Sequence, residues 1–440
     1  MTRVRQPQPY HGLEYKTVAP DRSAVTFALR MSTRYRRELL AIFLAAVAVR
    51  CVAFAVMGWK AGTVTGFAAL SDGSAYIDNA KRINGDGMPS AYDQRVFVGL
   101  PWVIAMTHKL GVPYLPAAAG IGLIVPGLMC VLAARVLHDR RIGWAMAVLP
   151  PHWVLDTAAV MNESLMLTLC FAGMLVVRKA ASDPLSRYSG GGLGRGSADL
   201  ANTSTFDSNS TNKKTPSPTL PRRTGRGSKS PLSLRAAYGP VLAALAFALA
   251  GVVRPMTCFA VAGAIAFLLQ AKRPGKAVML AIDTLVLLAL LFLAFKGFYW
   301  NPLDNARTYD TQSLAYNGQV FTYPFGSFVD AFIHRGPLNK SLIYKTLHML
   351  AAIGVFVIAF VKWKHHRRPL DAWAVTWWGT NLAFAACIGS HWGVDIAQRS
   401  VMWAAPAAYW TMRDYLPTRW STRLAWAVLA VPWVFVTSQT

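Results

Sequence analysis

Long apolar runs separated by short polar stretches, mostly basic, dominate this chain. Residues 39–59, 238–253, 278–298 and 343–361 are each close to the ~17–25 residues an α-helix needs to cross a bilayer core. Further apolar runs occupy 96–112, 114–137, 142–156, 158–177, 257–270 and 370–388, and two more flank MRDYLPTRWSTR. The pattern predicts an all-α, polytopic transmembrane helical bundle of about ten spans, in a range of about nine to twelve. The strands of about ten alternating residues that build a membrane β-barrel are not seen in the sequence.

Two polar regions interrupt the pattern. Residues 1–37 read as a disordered basic tail without a secretory signal, because the apolar run that follows is too long and lacks a small-residue cleavage site. Met31 directly precedes STRYRRELL, and the first thirty or so residues are expected to be a mis-called start. Residues 182–236 are rich in Ser, Thr, Gly and Pro and carry NKKTPSPTLPRRTGRGSKS. Such a stretch cannot bury enough apolar surface to offset its chain entropy, so it reads as a disordered cytoplasmic insert, tolerated rather than regulatory. It separates an N-terminal membrane half, 38–181, from a C-terminal half, 237–440.

The basic clusters orient the spans, since cytoplasmic loops carry the excess of Lys and Arg. With TRYRR, the insert, AKRPGK and KWKHHRR inside, the loops 60–95 and 299–340 and the segment HWGVDIAQR fall outside. Between 96 and 177 an odd number of crossings is required, yet hydropathy offers four segments. Keeping Arg135, Arg140 and Arg141 inside makes 96–110, short and interrupted by Pro101, the interfacial one. Asn162 and Glu163 then lie near the external face.

Composition narrows the class further. Against 20 acidic residues the chain has 45 basic ones, a formal charge of +25. The charge sits in clusters beside apolar runs, and no nucleic-acid recognition module accompanies it, so membrane topology rather than nucleic-acid binding accounts for it. Cys51, Cys130, Cys170, Cys258 and Cys387 lie within apolar segments and read as small buried hydrophobes.

In so basic a chain, the loop SDGSAYIDNAKRINGDGMPSAYDQRVFVGLP stands out because it gathers Asp72, Asp78, Asp86 and Asp93. Asp72, Tyr76 and Asn79 have i, i+4, i+7 spacing and share one helix face. Tyr76, Ile77, Ala80 and Ile83 suggest a short amphipathic helix on the membrane surface, with Asp72 at its start. A helix cap and solvated acids would account for this loop alone. Three other features place rare polar groups on the same outer face: Asn162 and Glu163 at the mouth of a span, Arg254 before Pro255 at the end of another, and Arg399 at the start of a third. Ionisable groups near membrane depth are costly and usually face a cavity or a partner. A carboxylate with several arginines suits a phosphate-bearing lipid approached by a hydroxyl acceptor, because guanidinium forks bind phosphate and a carboxylate takes the acceptor's proton.

DGSAYIDNA followed by QRVFVGLPWVIAMTHKLG resembles the first external loop of the GT-C membrane glycosyltransferases: an acid, a tyrosine four residues on, then an Arg-x-x-Gly-x-Pro-like lead into the next segment. PPHWVLDTAAVMNESLML, ALAGVVRPMT and AQRSVMWAAPAAYW are similar to that family's later elements, and the Asn-Glu-Ser and Arg-Pro pieces resemble most the PIG-V-like mannosyltransferases. The likeness covers most of 38–436 outside the insert. Two features depart from the family pattern: the loop has a single Asp72 rather than an acidic pair, and its exit reads RVFVGLP. The resemblance implies inverting transfer of a sugar, mannose, from a polyprenyl-phosphate donor to a glycan, lipid or protein acceptor, without metal or cofactor. It implies Asp72 as general base and Arg254, Arg399 and Arg95 on the donor phosphate. Tyr76, Glu163 and Asn162 would be substrate-binding, with the site on the extracytoplasmic side of a bacterial inner membrane.

Other polar residues carry less. Lys296 reads as snorkelling and Asp283 as lying near the cytoplasmic end of its run, Arg50 is an intramembrane charge, and His391 with Asp395 are too few ligands for a metal. The competing reading is a secondary transporter or lipid flippase, which would show repeats and midplane polar groups. A non-catalytic scaffold would need neither Asp72 nor the external arginines.

Overall fold

In a computed structural model, the protein is described at residues 22–60, 62, 73–87, 97–148, 162–182, 232–295, 322–335, 340–389, 394, 403–419, 422, 423 and 425. The described chain is all-α: α1 (Arg22–Lys60), α2 (Gly73–Ile83), α3 (Gly99–Lys109), α4 (Tyr114–Leu137), α5 (Arg140–Val148), α6 (Glu163–Ser182), α7 (Leu232–Val253), α8 (Thr257–Gln270), α9 (Pro274–Phe295), α10 (Gly326–Arg335), α11 (Lys340–His366), α12 (Pro369–Cys387) and α13 (Ala405–Thr411), followed by a 3-10 turn at Arg413–Tyr415. Among the described residues, Thr33–Trp59, Tyr114–Leu137, Glu163–Ala181, Pro274–Phe295 and Leu342–His366 are long and apolar enough to cross a membrane, and Tyr238–Val253 and Thr257–Gln270 are shorter apolar helices. On α9, Leu285 and Leu293 are 67% and 69% exposed, a surface that hydrocarbon rather than water would solvate.

The helices pack in two joined rows: α1 on α4, α4 on α6, α6 on α7 and α7 on α9, with α8 covering α9 and α12, and α12 against α11. One continuous apolar core runs through both rows, from Ile42 of α1 to Trp410 of α13.

Several element boundaries differ from the hydropathy reading. The helix α1 begins at Arg22, inside the stretch expected to be a disordered tail, and α7 begins at Leu232, inside the expected insert. Both extensions are rich in Ala, Leu and Arg, good helix formers that prolong a helix beyond its apolar part. The segment 96–112 forms α3, 11 residues long, about 16 Å and too short to cross. Pro101 lies in its first turn, where the missing N–H has no helical partner to lose, so it opens the helix instead of interrupting it. Asp283 sits about 14 Å from the start of α9, and its Oδ2 is buried without a hydrogen-bond partner among the described residues. The seven residues of α13 make about 10 Å of helix, so they supply only part of the crossing expected there. Lys296, His391 and Asp395 lie outside the described residues.

The run 142–156 also takes an unexpected form. The described helix α5 ends at Val148, just before Pro150 and Pro151, and every residue from Ile142 to Val148 is buried. Arg50 of α1, fully buried, donates from Nη1 to the carbonyl of Ala147 at 3.0 Å and to that of Ala46 at 3.1 Å, with Nη2 3.5 Å from Met146 O. The carbonyl end of a helix carries partial negative charge. Pro150 and Pro151 have no N–H to offer the carbonyls of Met146 and Ala147, so the intramembrane arginine takes the place of the missing helical donors. Close approach makes this possible: a Cβ on Gly143 would lie 2.9 Å from Ala134 Cβ and from Cys130 O of α4.

At the end expected to be cytoplasmic, charges pair across the chain. His138 ends α4 in a left-handed conformation, and Asp139 caps α5 by accepting the Arg141 N–H at 2.9 Å. Glu38 of α1 accepts from both Arg140 and Arg423, so one carboxylate joins the first helix to the last described segment. Lys362 donates to Asp414 at 2.8 Å, and this hydrogen bond holds the exposed Asp414 carboxyl below its ordinary pKa. Trp410 Nε1 donates to buried Asp371 at 2.9 Å. Replacing Glu38 by Ala strands two partly buried guanidinium groups and is expected to cost about 2–3 kcal/mol. Asp78→Ala, which breaks an exposed pair with Lys81, should cost less than about 1 kcal/mol. Thermal unfolding of the two variants in detergent checks the ranking, and equal melting temperatures would refute it.

Candidate functional site

The site is built on the turn between α7 and α8. Pro255 has no N–H to offer the carbonyl of Gly251 one turn earlier, and the residue before a proline is pushed out of helical geometry, so α7 stops at Val253. Arg254, Pro255 and Met256 make the turn, which the Thr257 side chain ties down by donating from Oγ1 to Arg254 O at 2.9 Å. A Cβ on Gly251 would meet Leu288 of α9 at 2.9 Å. From that level α9 continues to Phe295, about 10 Å further. Arg254 is thus recessed below the end of its neighbour, at a depth where a charge needs partners.

The partners come from α6. Its first residue is Glu163, preceded by Asn162, whose carbonyl accepts the first helical bond from Met166 N at 3.0 Å. Asn162 Nδ2 donates to Val253 O at 3.0 Å, satisfying a terminal carbonyl of α7. Its Oδ1 accepts from Arg254 Nη1 at 2.5 Å, and Glu163 Oε1 accepts from the same Nη1 at 2.8 Å. Arg254 is 15% exposed at its side chain and Glu163 3%. The Glu163 carboxylate also sits in the first turn of α6, at the positive end of the helix dipole.

A fourth member was not anticipated. Trp403 lies four residues after Arg399, in the segment that leads into α13, and its ring carries the Arg254 guanidinium at 4.5 Å from the centroid. Trp403 is buried and rests against Phe384 of α12, itself against Phe259 of α8. The sequence signal for it was weak: an aromatic among many, though within the AQRSVMWAAPAAYW motif.

Of the residues predicted from sequence, the structure brings Asn162, Glu163 and Arg254 into direct contact. Glu163 is turned onto Arg254. Tyr76 forms part of α2, as the amphipathic pattern predicted, but is only 3% exposed and joins the apolar core with Ala75, Ile77 and Ala80. The start of α3 reaches the Arg254 turn. A Cβ on Gly99 would lie 2.6 Å from Val253 Cγ2 and 2.7 Å from its Cα, so the two backbones touch one residue before Arg254. Asp72, Arg95 and Arg399 lie outside the described residues. On the other side of the same turn, a cleft of about 570 Å³ is lined by Pro255, Cys258, Leu288, Phe292 and Phe97 among others, nearly all apolar.

Removing one partner of a buried ion pair leaves an uncompensated charge. Arg254→Ala and Glu163→Ala are each expected to destabilise by about 3–5 kcal/mol, and the double variant by at least about 1 kcal/mol less than their sum. Unfolding measurements on all four proteins test the coupling, and strict additivity would show that the contact contributes nothing. A side chain at Gly99 must push α3 from α7, so Gly99→Val should cost about 1–3 kcal/mol by overpacking.

No family model matches the chain, and no curated protein does. Among solved structures, it is similar to the archaeal oligosaccharyltransferase AglB from Archaeoglobus fulgidus in complex with an inhibitory peptide and a dolichol-phosphate, at 12% identity and a TM-score of 0.39. That alignment covers 90% of this chain and 55% of AglB, so the chain spans about half the length of that protein.

Proposed function

We propose that this protein is an integral-membrane glycosyltransferase of the GT-C type, moving mannose from a polyprenyl-phosphate donor to an acceptor hydroxyl at the extracytoplasmic face of a bacterial inner membrane. The observation that carries the reading is the recessed guanidinium of Arg254, oriented by Asn162 and Glu163 and stacked on Trp403. A long polyprenol stays in the bilayer, so an enzyme that uses it must offer its phosphate-binding charge within the membrane boundary. The motifs around Asp72, Asn162, Arg254 and Arg399, similar to those of PIG-V-like mannosyltransferases, support the same assignment.

In this reading the acceptor, a glycan, lipid or protein, presents a hydroxyl whose proton passes to the Asp72 carboxylate as its oxygen attacks the anomeric carbon. The bond from that carbon to the phosphate oxygen breaks with inversion, and polyprenyl phosphate leaves with the electron pair. Arg254, with Arg399 and Arg95, stabilises the charge that develops on the leaving phosphate. Glu163 and Asn162 hold the Arg254 fork so that little reorganisation accompanies the step. Tyr76 supports the helix that follows Asp72.

A secondary transporter or lipid flippase is the competing reading, and the fully buried charge of Arg50 favours it, since such proteins carry polar groups deep in the bundle. The tethered guanidinium of Arg50, however, already occupies the carbonyl end that a transported cation would use.

Purified protein should transfer mannose from a polyprenyl-phosphate donor, and Asp72→Asn should lower kcat at least about 10²-fold, the contribution typical of a general base, without changing the melting temperature. Folded wild-type protein that transfers no sugar but moves lipid across vesicle bilayers would replace the enzyme with the transporter.

A further inference from the structure

The Trp403 indole nitrogen is buried and has no hydrogen-bond partner among the described residues, although the ring is only 4% exposed. An indole N–H is a donor and nothing else, and a buried donor left unpaired is costly. Its missing partner must be an acceptor. The face of the same ring holds Arg254, whose hydrogen bonds among the described residues all leave from Nη1. Nε and Nη2 remain for an acceptor as well. Two kinds of donor, one of them cationic, therefore lie side by side at the recessed end of α7, and the acceptor that suits both is an anion with several oxygens.

We infer that Trp403 is a phosphate-binding residue: its indole N–H donates to one oxygen of a phosphate group while its ring face positions the Arg254 guanidinium for the others. This rests on the glycosyltransferase reading for the identity of the phosphate as that of a polyprenyl lipid, and it adds a recognition residue that contributes no charge. The division of labour is physical. Glu163 offsets part of the Arg254 charge, so the seat relies on directed hydrogen bonds more than on net charge, and a neutral donor such as indole strengthens it without a further buried cation.

The test uses full-length protein in detergent and three probes, undecaprenyl phosphate, undecaprenol and inorganic phosphate, with binding read by native mass spectrometry. Trp403→Phe keeps an aromatic face for Arg254 and removes only the N–H. It should weaken undecaprenyl phosphate about tenfold, in line with one hydrogen bond to a charged group, leave undecaprenol unchanged and melt like the wild type. Trp403→Leu, which loses both the N–H and the ring face, should weaken the phosphate probe further. If inorganic phosphate is also weakened by Trp403→Phe, the seat is supported as a general phosphate site, and the tighter wild-type probe identifies its source. Unchanged phosphate binding in Trp403→Phe, with Arg254→Ala still weakened, overturns the role of Trp403 and leaves the donor reading standing. Wild-type protein that binds undecaprenol as tightly as undecaprenyl phosphate overturns both.

Discussion

A guanidinium that leaves water must take its compensation with it, and two arginines organise this protein around that requirement. Arg50 finds compensation in backbone carbonyls: it collects those of Met146 and Ala147, for which Pro150 and Pro151 have no N–H. Arg254 finds it in side chains: a carboxylate and an amide oxygen from the neighbouring Glu163 and Asn162, and an aromatic face from the distant Trp403. The first arrangement is saturated and structural. The second engages one nitrogen of the fork and leaves directed donors beside it, which is the condition for receiving a ligand.

The two ends of the bundle use charge differently. At the end expected to be cytoplasmic, Glu38, Asp139, Asp371 and Asp414 are met by arginine, lysine or indole donors, so acids and bases are largely spent on holding helices together. At the opposite end, the Arg254 and Glu163 pair is recessed, whereas Asp78 and Lys81 are exposed. Short helices make that recess. The 14 residues of α8 reach about 21 Å, less than the ~30 Å of a bilayer core, so the Arg-Pro turn is held below the rim formed by α9. The same turn contacts α3 through Gly99, which sets the start of that helix against the residue before the arginine.

Much of the site was legible because topology constrains it. Once basic clusters assign loops to sides, Asn162, Glu163 and Arg254 must share a face, and rare polar groups sharing a face of a membrane protein tend to meet. What could not be read was who faces whom. Glu163 looked like a substrate ligand because an acid at a helix mouth has that appearance; its partner is 91 positions away, and no local pattern encodes such a distance. Trp403 was lost among the other tryptophans, for an aromatic ring is marked as functional only by what rests on it.

From its sequence alone, this protein was determined to be a membrane-embedded helical bundle, and its basic clusters led to an expected orientation that gathers a small set of polar groups toward one side. Hydrophobic length, helical period and the placement of basic residues are local properties, and they survive without coordinates. The tertiary structure decided that Arg50 reaches the carbonyls of Met146 and Ala147, that Pro101 begins a helix instead of breaking one, and that an indole lies under Arg254. Each of these depends on which backbone approaches which, within a few ångströms, and that is settled by side-chain volume and close contact between helices distant in the chain.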